Sequence, residues 1–374
     1  LADIAKLSVK KNDWPQWGGS KYKNNTPPGK NIPTEWDVNE GTNIKWKIGV
    51  GSQSYGNPVV ANGKIFLGTN NGAGFVKRFP AATDLGCLVA INEADGTFMW
   101  QHSNPKLPTG RVHDWPLQGI CCSPYVDGER LWYVTSRGEV ACLDTNGFYD
   151  DKNNGPYKAE TNQNTDEADV IWLYDMMGEL GVSQHNMCSC SVACMGDVLF
   201  VNTSNGLDES HINLPAPNAP SFMAMNRDTG KGLWTDKSPG TNILHGQWSS
   251  PTYAEIAGVP QVIFGGGDGW IYSFAPEGDG KGNSKLLWKF DCNPKDSKWV
   301  LGGSGTRNNI IATPVIYDDL VYVAVGQDPE HGEGIGNMWC LNPAGAEGDV
   351  SPTLVIDTEG NPVPHRRLQA LDED

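Results

Sequence analysis

Short apolar runs separated by glycine-containing turns recur along this chain. Residues 56–100 contain four such runs: a Pro-led run at 57–60, a second at 64–68 after an Asn-Gly turn, a third at 87–91, and a fourth that ends on Trp100. β-Branched and aromatic residues bounded by such turns are typical of short antiparallel strands. The stretch therefore predicts one four-stranded antiparallel unit.

The same pattern returns down the chain. The starts of the units follow one another at intervals of 66, 69, 58 and 63 residues, at Pro58, Pro124, Ala193, Pro251 and Pro314. Self-similarity at such a period is the mark of a repeat architecture, and four strands per unit favour a ring of sheets over a helical solenoid. We predict an all-β fold, a β-propeller of four-stranded antiparallel blades with five repeats.

One tryptophan recurs where the fourth strand is predicted. These structural tryptophans are Trp46, Trp100, Trp172, Trp234 and Trp288. A twisted sheet cannot bury both of its faces alone, and a flat aromatic at a fixed place fills the gap to the next sheet, burying about 150–250 Å². Tryptophans in register therefore favour blades around an axis over a two-layer sandwich.

We predict three parts: an extended N-terminal arm at 1–42, propeller repeats at 43–348 and a C-terminal tail at 349–374. We expect Trp14 and Trp17 of the arm to pack on one propeller face. The fifth unit lacks a tryptophan strand, and we expect residues 43–49, which carry Trp46, to supply it. Such a closure removes an exposed sheet edge.

Composition narrows the classes of partner. A net charge of −16 and a pI near 4.8 argue against nucleic acid and anionic membrane surfaces, which demand a basic face. No apolar run approaches the roughly 18 residues of a membrane-spanning helix. The many glycines, prolines and tryptophans favour an extracytoplasmic compartment such as the periplasm. We expect other protein subunits as partners, in a large complex or a homo-oligomer.

Several segments carry a family resemblance. SPYVDGERLWYVTSRGEVACLD at 123–144, TPVIYDDLVYVAV at 313–325 and the recurring tryptophans resemble the PQQ-binding-like β-propeller repeat family. Its relatives include the outer-membrane assembly-factor propellers and, more distantly, the quinoprotein alcohol dehydrogenases. DWPQW, HGQWSSP, GGDGW and GQDPEHGEG resemble the assembly-factor-like members. The family usually has seven or eight blades, so five repeats imply that sequence after Asp374 is missing or that the ring is completed elsewhere.

The resemblance also implies which residues of this chain would be candidates for binding a quinone cofactor. The dehydrogenases place a disulfide between adjacent cysteines against the quinone, and Cys121 and Cys122 are adjacent here. Two buried small residues are the alternative. A quinone site further needs Ca²⁺, a carboxylate base, for which Asp328 is the candidate, and a basic clamp. The candidate clamp residues, which no spacing ties together, are Arg130, Arg137 and Arg307.

Two stretches offer other metal ligands. Imidazole and thiolates suit zinc or copper, and one stretch carries His185, Cys188, Cys190 and Cys194. The three cysteines share strand parity, however, which favours a packed face. The other stretch, 150–155 with the acidic residues at 160, 166 and 167, resembles a Ca²⁺ loop, but Lys152 occupies a ligand position. An irregular calcium site and a solvated insertion remain as alternatives.

Long polar and aromatic loops are the predicted interaction surface, because function concentrates on loops of rigid scaffolds. The residues predicted for interaction are Trp14, Trp17, His211, His245, Trp248, Asp268, Trp270, Asp328 and His331. We expect a non-catalytic propeller, a scaffold or accessory subunit in the assembly of a larger enzyme complex. The alternative functions are a PQQ-dependent dehydrogenase with Ca²⁺ and an accessory subunit with a structural Ca²⁺.

Overall fold

The computed structural model describes residues 13–27, 29–327 and 336–351, which form antiparallel sheets in chain order. Sheet 1 contains β1 (Val59–Ala61), β2 (Lys64–Asn70), β3 (Leu85–Asn92) and β4 (Phe98–Pro105). Sheet 2 contains β5 (Tyr125–Asp127), β6 (Arg130–Val134), β7 (Glu139–Asp144) and β8 (Val170–Asp175). Sheet 3 contains β9 (Ala193–Met195), β10 (Val198–Asn202), β11 (Phe222–Asn226) and β12 (Gly232–Asp236).

Sheet 4 contains β13 (Thr252–Ile256), β14 (Val259–Gly265), β15 (Trp270–Phe274) and β16 (Leu286–Asp291). Sheet 5 contains β17 (Val315–Tyr317), β18 (Leu320–Val325) and β19 (Asn337–Leu341). One short helix, α1 (Met176–Leu180), follows sheet 2, and β20 (Gly348–Asp349) pairs in parallel with β16. The predicted four-stranded antiparallel unit is therefore confirmed in sheets 1 to 4.

The two ends of every sheet differ in their connections. At one end, which we call the hairpin end, tight turns join the first strand to the second, as at Asn62-Gly63, where both φ angles are positive (54° and 77°). Asn and Gly adopt this left-handed conformation most readily, which explains the register Ala61↔Lys64 across the turn. At the opposite end, the loop end, longer connections lead into the first strands of sheets 2 to 5, and the connections from second to third strand are short in sheets 2 and 4 and long in sheets 1 and 3.

Apolar side chains fill the spaces between successive sheets. One buried cluster joins sheets 1, 2 and 3, a second joins sheets 3 and 4, and a third joins sheets 4 and 5. Alternation along each strand sends side chains to both faces, and in sheets 2, 3 and 4 both faces are covered by neighbouring sheets. The first strands meet one another, since β1 contacts β5 and β13 contacts both β9 and β17.

Three of the recurring tryptophans join their own sheet to the next one at the hairpin end. The Trp100 indole donates from Nε1 to the Thr145 carbonyl oxygen (3.1 Å), just after the third strand of sheet 2. Trp172 donates in the same way to Arg227 (3.0 Å), and Trp234 to Pro276 (2.8 Å). A glycine faces each indole, where a Cβ would lie within 3 Å of the ring: these are Gly147, Gly230 and Gly278. Trp288 differs, donating to the Gln261 side chain of its own sheet.

The predicted ring closure by residues 43–49 is wrong. These residues form no strand and do not complete sheet 5, which has three strands in the part of the chain that the structure describes. Trp46 instead docks on sheet 1, donating to the Glu93 carbonyl oxygen (3.0 Å) and facing Gly96. The physical reason is that the free apolar face of β3 needs cover, which Trp46 and its neighbours supply.

The N-terminal arm crosses the hairpin end from sheet to sheet. Trp14 exchanges two backbone hydrogen bonds with Val60 of sheet 1, at 2.7 and 2.9 Å. The carbonyl oxygen of Pro15 accepts from Val126 of sheet 2, and that of Tyr22 accepts from Ile316 of sheet 5. Residues 1–12 of the predicted arm and 352–374 of the predicted tail lie outside the described residues, while Asp349, placed in the tail by prediction, belongs to β20.

Candidate functional site

Three histidines from three separate loops meet at the loop end of sheets 3 and 4. His185 lies between α1 and β9, His211 between β10 and β11, and His245 between β12 and β13. One ring nitrogen from each lies within 4.8 Å of the others. The ring centroids are separated by 4.9 Å (185–211), 4.5 Å (185–245) and 4.5 Å (211–245). We call these three residues the histidine cluster.

His185 is the buried and oriented member of the cluster. Its Nδ1 lies 2.8 Å from the Leu207 carbonyl oxygen, and because a carbonyl only accepts, Nδ1 carries the proton. The neutral ring then keeps an acceptor lone pair on Nε2, which is buried without a hydrogen-bond partner among the described residues. Burial, together with the nearby His245, lowers the pKa of His185 to about 3, so its imidazole is neutral at physiological pH.

Trp248 and Gly206 fix the neighbouring His245. The Trp248 indole packs edge to face on the His245 ring, with centroids 5.2 Å apart, and donates from Nε1 to the His185 carbonyl oxygen at 3.3 Å. A Cβ on Gly206 would lie 2.7 Å from the His245 carbonyl oxygen and 2.8 Å from the His185 Cβ. Only glycine lets these two loops approach so closely.

His211 forms the solvent-facing side of the cluster. It lies in a turn organised by Asp208, whose side chain accepts from Ser210 and Asn213 and whose carbonyl oxygen accepts from the His211 amide. The φ angle of His211 is 59°, in the left-handed region that side-chain-bearing residues seldom adopt. Beside it lies a pocket of about 160 Å³, lined by Arg111, Trp115, Asn186, Glu209 and His211.

His185 does not come together with the three cysteines that were predicted to share a metal site with it. The three cysteines predicted with it point elsewhere: the Cys188 thiol faces the Asn202 carbonyl oxygen at 3.5 Å, Cys190 is buried in the core, and Cys194 contacts Arg227 at 3.7 Å. Cys194 lies on β9, whereas Cys188 and Cys190 follow His185 in the same loop and turn their side chains into the buried core. Among the described residues, the histidine cluster is the one group of three or more ligating side chains that converge.

The residues nominated for a quinone site do not fit one. Cys121 and Cys122 form no disulfide: the first thiol faces the Met187 sulfur at 3.2 Å and the second the Val134 carbonyl oxygen at 3.1 Å. Adjacent residues in extended backbone point to opposite sides, which separates the two sulfurs. All nine cysteines are free thiols.

The nominated basic clamp is also dispersed. Arg130 pairs with Asp144 and Arg307 with Asp291, while Arg137 bonds to the Pro105 carbonyl oxygen. Arg130 begins β6 at the hairpin end and Arg137 follows its other end, so they cannot hold one small molecule together. The nominated base, Asp328, lies outside the described residues.

The predicted calcium stretch forms no ligand cage in the described part of the chain. Asp150 pairs with Lys152, Glu160 accepts from the Val170 amide, and Glu167 pairs with Arg78. Each carboxylate thus serves a separate local contact. The stretch is a folded insertion between β7 and β8, anchored by Asp169, whose pKa burial raises to about 6.

The residues predicted for interaction divide between the two ends. His211, His245, Trp248 and Trp270 lie at or near the loop end, whereas Trp14 and Trp17 lie in the arm at the hairpin end. Asp268 is only 3% exposed and accepts from the Tyr272 hydroxyl at 2.6 Å, and His245 is only 2% exposed. These two buried side chains are therefore not surface contacts. His331 lies outside the described residues.

Solved structures resemble this arrangement of sheets, whereas no family model and no curated protein matches the sequence. The quinohemoprotein alcohol dehydrogenase of Comamonas testosteroni has a TM-score of 0.54 at 12% identity, covering 97% of this chain and 53% of that protein. The quinohemoprotein alcohol dehydrogenase ADHIIG of Pseudomonas putida gives 0.51 at 11% identity, covering 90% and 47%. The fold is a β-propeller.

A europium-containing methanol dehydrogenase gives the same TM-score, 0.51, at 11% identity, covering 90% of this chain and 60% of that enzyme. These similarities confirm the predicted β-propeller fold. The chain spans about half the length of these structures. Among the described residues, no helix is both long and apolar enough to span a bilayer.

Proposed function

We propose that this β-propeller is a non-catalytic scaffold or accessory subunit that docks another protein on its loop end. The observation that supports this proposal is the position of several exposed apolar side chains. Leu117, Ile212, Trp299, Val300 and Ile311 are all more than 40% exposed and all lie in loops at the loop end. Exposed aromatic and aliphatic side chains of this kind serve as anchors at protein interfaces.

Several of these side chains belong to adjoining loops. The Trp299 indole donates to the Asn242 carbonyl oxygen at 2.8 Å, and Gly302 donates from its amide to Leu244. A Cβ on Gly302 would lie 2.7 Å from the His211 carbonyl oxygen, which precedes Ile212 directly. Ile212, Trp299 and Val300 therefore belong to one surface. The hairpin end, by contrast, is crossed by the arm.

Charge indicates the kind of partner. A net charge of −16 repels nucleic acid and favours a protein surface that carries basic side chains around an apolar centre. A subunit of a larger complex meets this description, and we place the complex in an extracytoplasmic compartment such as the periplasm, in keeping with the glycine-, proline- and tryptophan-rich composition.

Co-purification from native extracts tests the proposal. The tagged wild-type protein should bring down a partner in a fixed ratio, and the double variant Ile212→Ser/Trp299→Ser should lose at least nine-tenths of it because two apolar anchors are gone. Both residues are exposed, so the free energy of unfolding, measured by urea denaturation, should stay within about 0.5 kcal/mol of wild type.

The matched control is Val259→Ser/Tyr317→Ser, which removes two exposed apolar side chains at the hairpin end. This variant should retain the partner. A protein that runs as a lone monomer in native extracts, or that loses its partner only in the hairpin-end variant, would contradict the proposal.

A further inference from the structure

We propose that His185, His211 and His245 bind one divalent transition-metal ion of the zinc class, with the three imidazoles as its protein ligands. The site is separate from the docking surface in its chemistry and needs no partner. Three imidazoles with an open fourth position are a ligand set typical of Zn²⁺, and imidazole also suits Co²⁺, Ni²⁺ and Cu²⁺.

The spacing of the rings supports the proposal. A tetrahedral ion with Zn–N bonds of about 2.0–2.1 Å separates its ligand nitrogens by about 3.4 Å. The nitrogens here lie within 4.8 Å of one another, so binding needs an inward movement of about 1 Å. His211 lies on a half-exposed turn and can make this movement, while His185 and His245 are held by buried backbone.

The hydrogen bond that His185 makes through its Nδ1 is of the kind that metal-bound histidines make. Metal-bound histidines commonly donate their other ring N–H to a carbonyl or carboxylate, which fixes the tautomer and aims the free lone pair. The Nδ1 bond to Leu207 does this, and it leaves Nε2 buried with no hydrogen-bond partner in the described residues. A buried, oriented acceptor without a partner is costly unless something binds it.

The backbone conformation of the loops also brings the three imidazole rings together. Gly206 permits an approach between the 205–213 loop and the loops carrying His185 and His245 that no larger residue allows. His211 is held in the left-handed conformation, and strain at such a position often marks a functional site. The pocket beside His211, which Glu209 and Asn186 help to line, gives solvent access to the fourth coordination position.

Titration of the chelator-treated protein with Co²⁺ tests the site. We expect one equivalent to bind with the visible ligand-field absorption of a tetrahedral nitrogen site, and one equivalent of Zn²⁺ to abolish that absorption. His211→Ala should weaken Co²⁺ binding at least tenfold, because one of three protein ligands is lost. His211 is half-exposed, so this variant should fold, and a wild-type urea midpoint without metal would verify that it does.

Two control variants separate the site from other histidines. His113→Ala removes a nearby ring that contacts Thr109 and Ser183 outside the cluster, and His331→Ala/His365→Ala removes the two histidines outside the described residues. Both should bind Co²⁺ within twofold of wild type. The proposal is overturned by the absence of the tetrahedral absorption, by His211→Ala binding as wild type, or by loss of binding in either control.

Discussion

The hairpin end and the loop end of this propeller are held together by different kinds of contact. At the hairpin end, indoles donate to backbone carbonyls of the next sheet and the arm adds backbone hydrogen bonds to sheets 1, 2 and 5. At the loop end, backbone hydrogen bonds such as that from the Leu207 amide to the His245 carbonyl oxygen join neighbouring loops, and the three imidazoles of the histidine cluster meet there. The indole contacts repeat with the sheets; the histidine cluster does not.

The difference separates contacts that repeat with the sheets from contacts that are formed once. Contacts that recur in every unit serve the ring, because each sheet must bury a face against its neighbour. Contacts formed once, from loops of unequal length, can serve binding without disturbing the ring. Substitutions at the hairpin end should therefore act on global unfolding, and substitutions at the loop end should act on binding.

The largest effect is expected at Trp100. Trp100→Ala removes a fully buried indole and its bond to Thr145, and we expect the free energy of unfolding to fall by about 3–5 kcal/mol. Urea denaturation measures the change. Trp36→Ala is the control, because the Trp36 side chain is 67% exposed, and it should change stability by less than about 0.5 kcal/mol. Equal losses in the two variants would contradict the structural role of the hairpin-end tryptophans.

A smaller, pH-dependent effect is expected at Lys23 of the arm. The residue is 3% exposed, and burial lowers the pKa of its ammonium to about 7. The unfolded chain therefore binds more protons than the folded chain between about pH 7 and 10.5, and this group makes stability rise with pH across that window.

Lys23→Met removes the cost of burying the charge. We expect the variant to gain on the order of a few kcal/mol over wild type at pH 6 and to lose that advantage towards pH 10. Urea unfolding at a series of pH values gives the difference curve. Lys21→Met is the matched control, since the Lys21 side chain is exposed and its replacement removes no buried charge. A flat curve for Lys23→Met would show that the amine is not buried as a neutral group.

The smallest effect on stability is expected at the loop end. Gly206→Ala forces the His185 and His245 loops apart, and we expect a loss of about 1–3 kcal/mol in unfolding free energy together with an at least tenfold loss in Co²⁺ affinity. Gly232→Ala is the control, because a Cβ there meets no atom within 4 Å. Unchanged Co²⁺ affinity in Gly206→Ala would break the link between this glycine and the histidine cluster.

The repeat itself was predictable because sheet and aromatic periodicity are local. Alternating β-branched runs, Asn-Gly turns and a tryptophan at one place in each unit follow from how a twisted sheet must bury its faces. Sheets 1 to 4 formed where the pattern placed them, and Trp100, Trp172 and Trp234 dock alike. The prediction for residues 43–49 failed because a strand-like pattern of residues does not specify the sheet against which the segment packs.

The histidine cluster was not predictable as a site because its members come from three loops. His185 is 26 residues from His211, which is 34 residues from His245, and no short motif links them. Local reasoning placed His185 with Cys188 instead, since they are close in sequence. A usable signal existed, because His185 and His245 lie in corresponding loops before the first strands of adjacent repeats. The pairing of Cys121 with Cys122 failed for another reason, because it rested on the resemblance to the dehydrogenases and both thiols are free here.

The arm binds sheets that are far apart in sequence. Between Trp14 and Tyr22, the arm forms backbone hydrogen bonds with Val60, Val126 and Ile316. The opening of sheet 1 or sheet 5 must therefore release the same short segment. Sheets that would otherwise fray one at a time from either margin are thereby coupled into a single cooperative unit, and the amides of Val60 and Ile316 should exchange with solvent deuterium in one shared event.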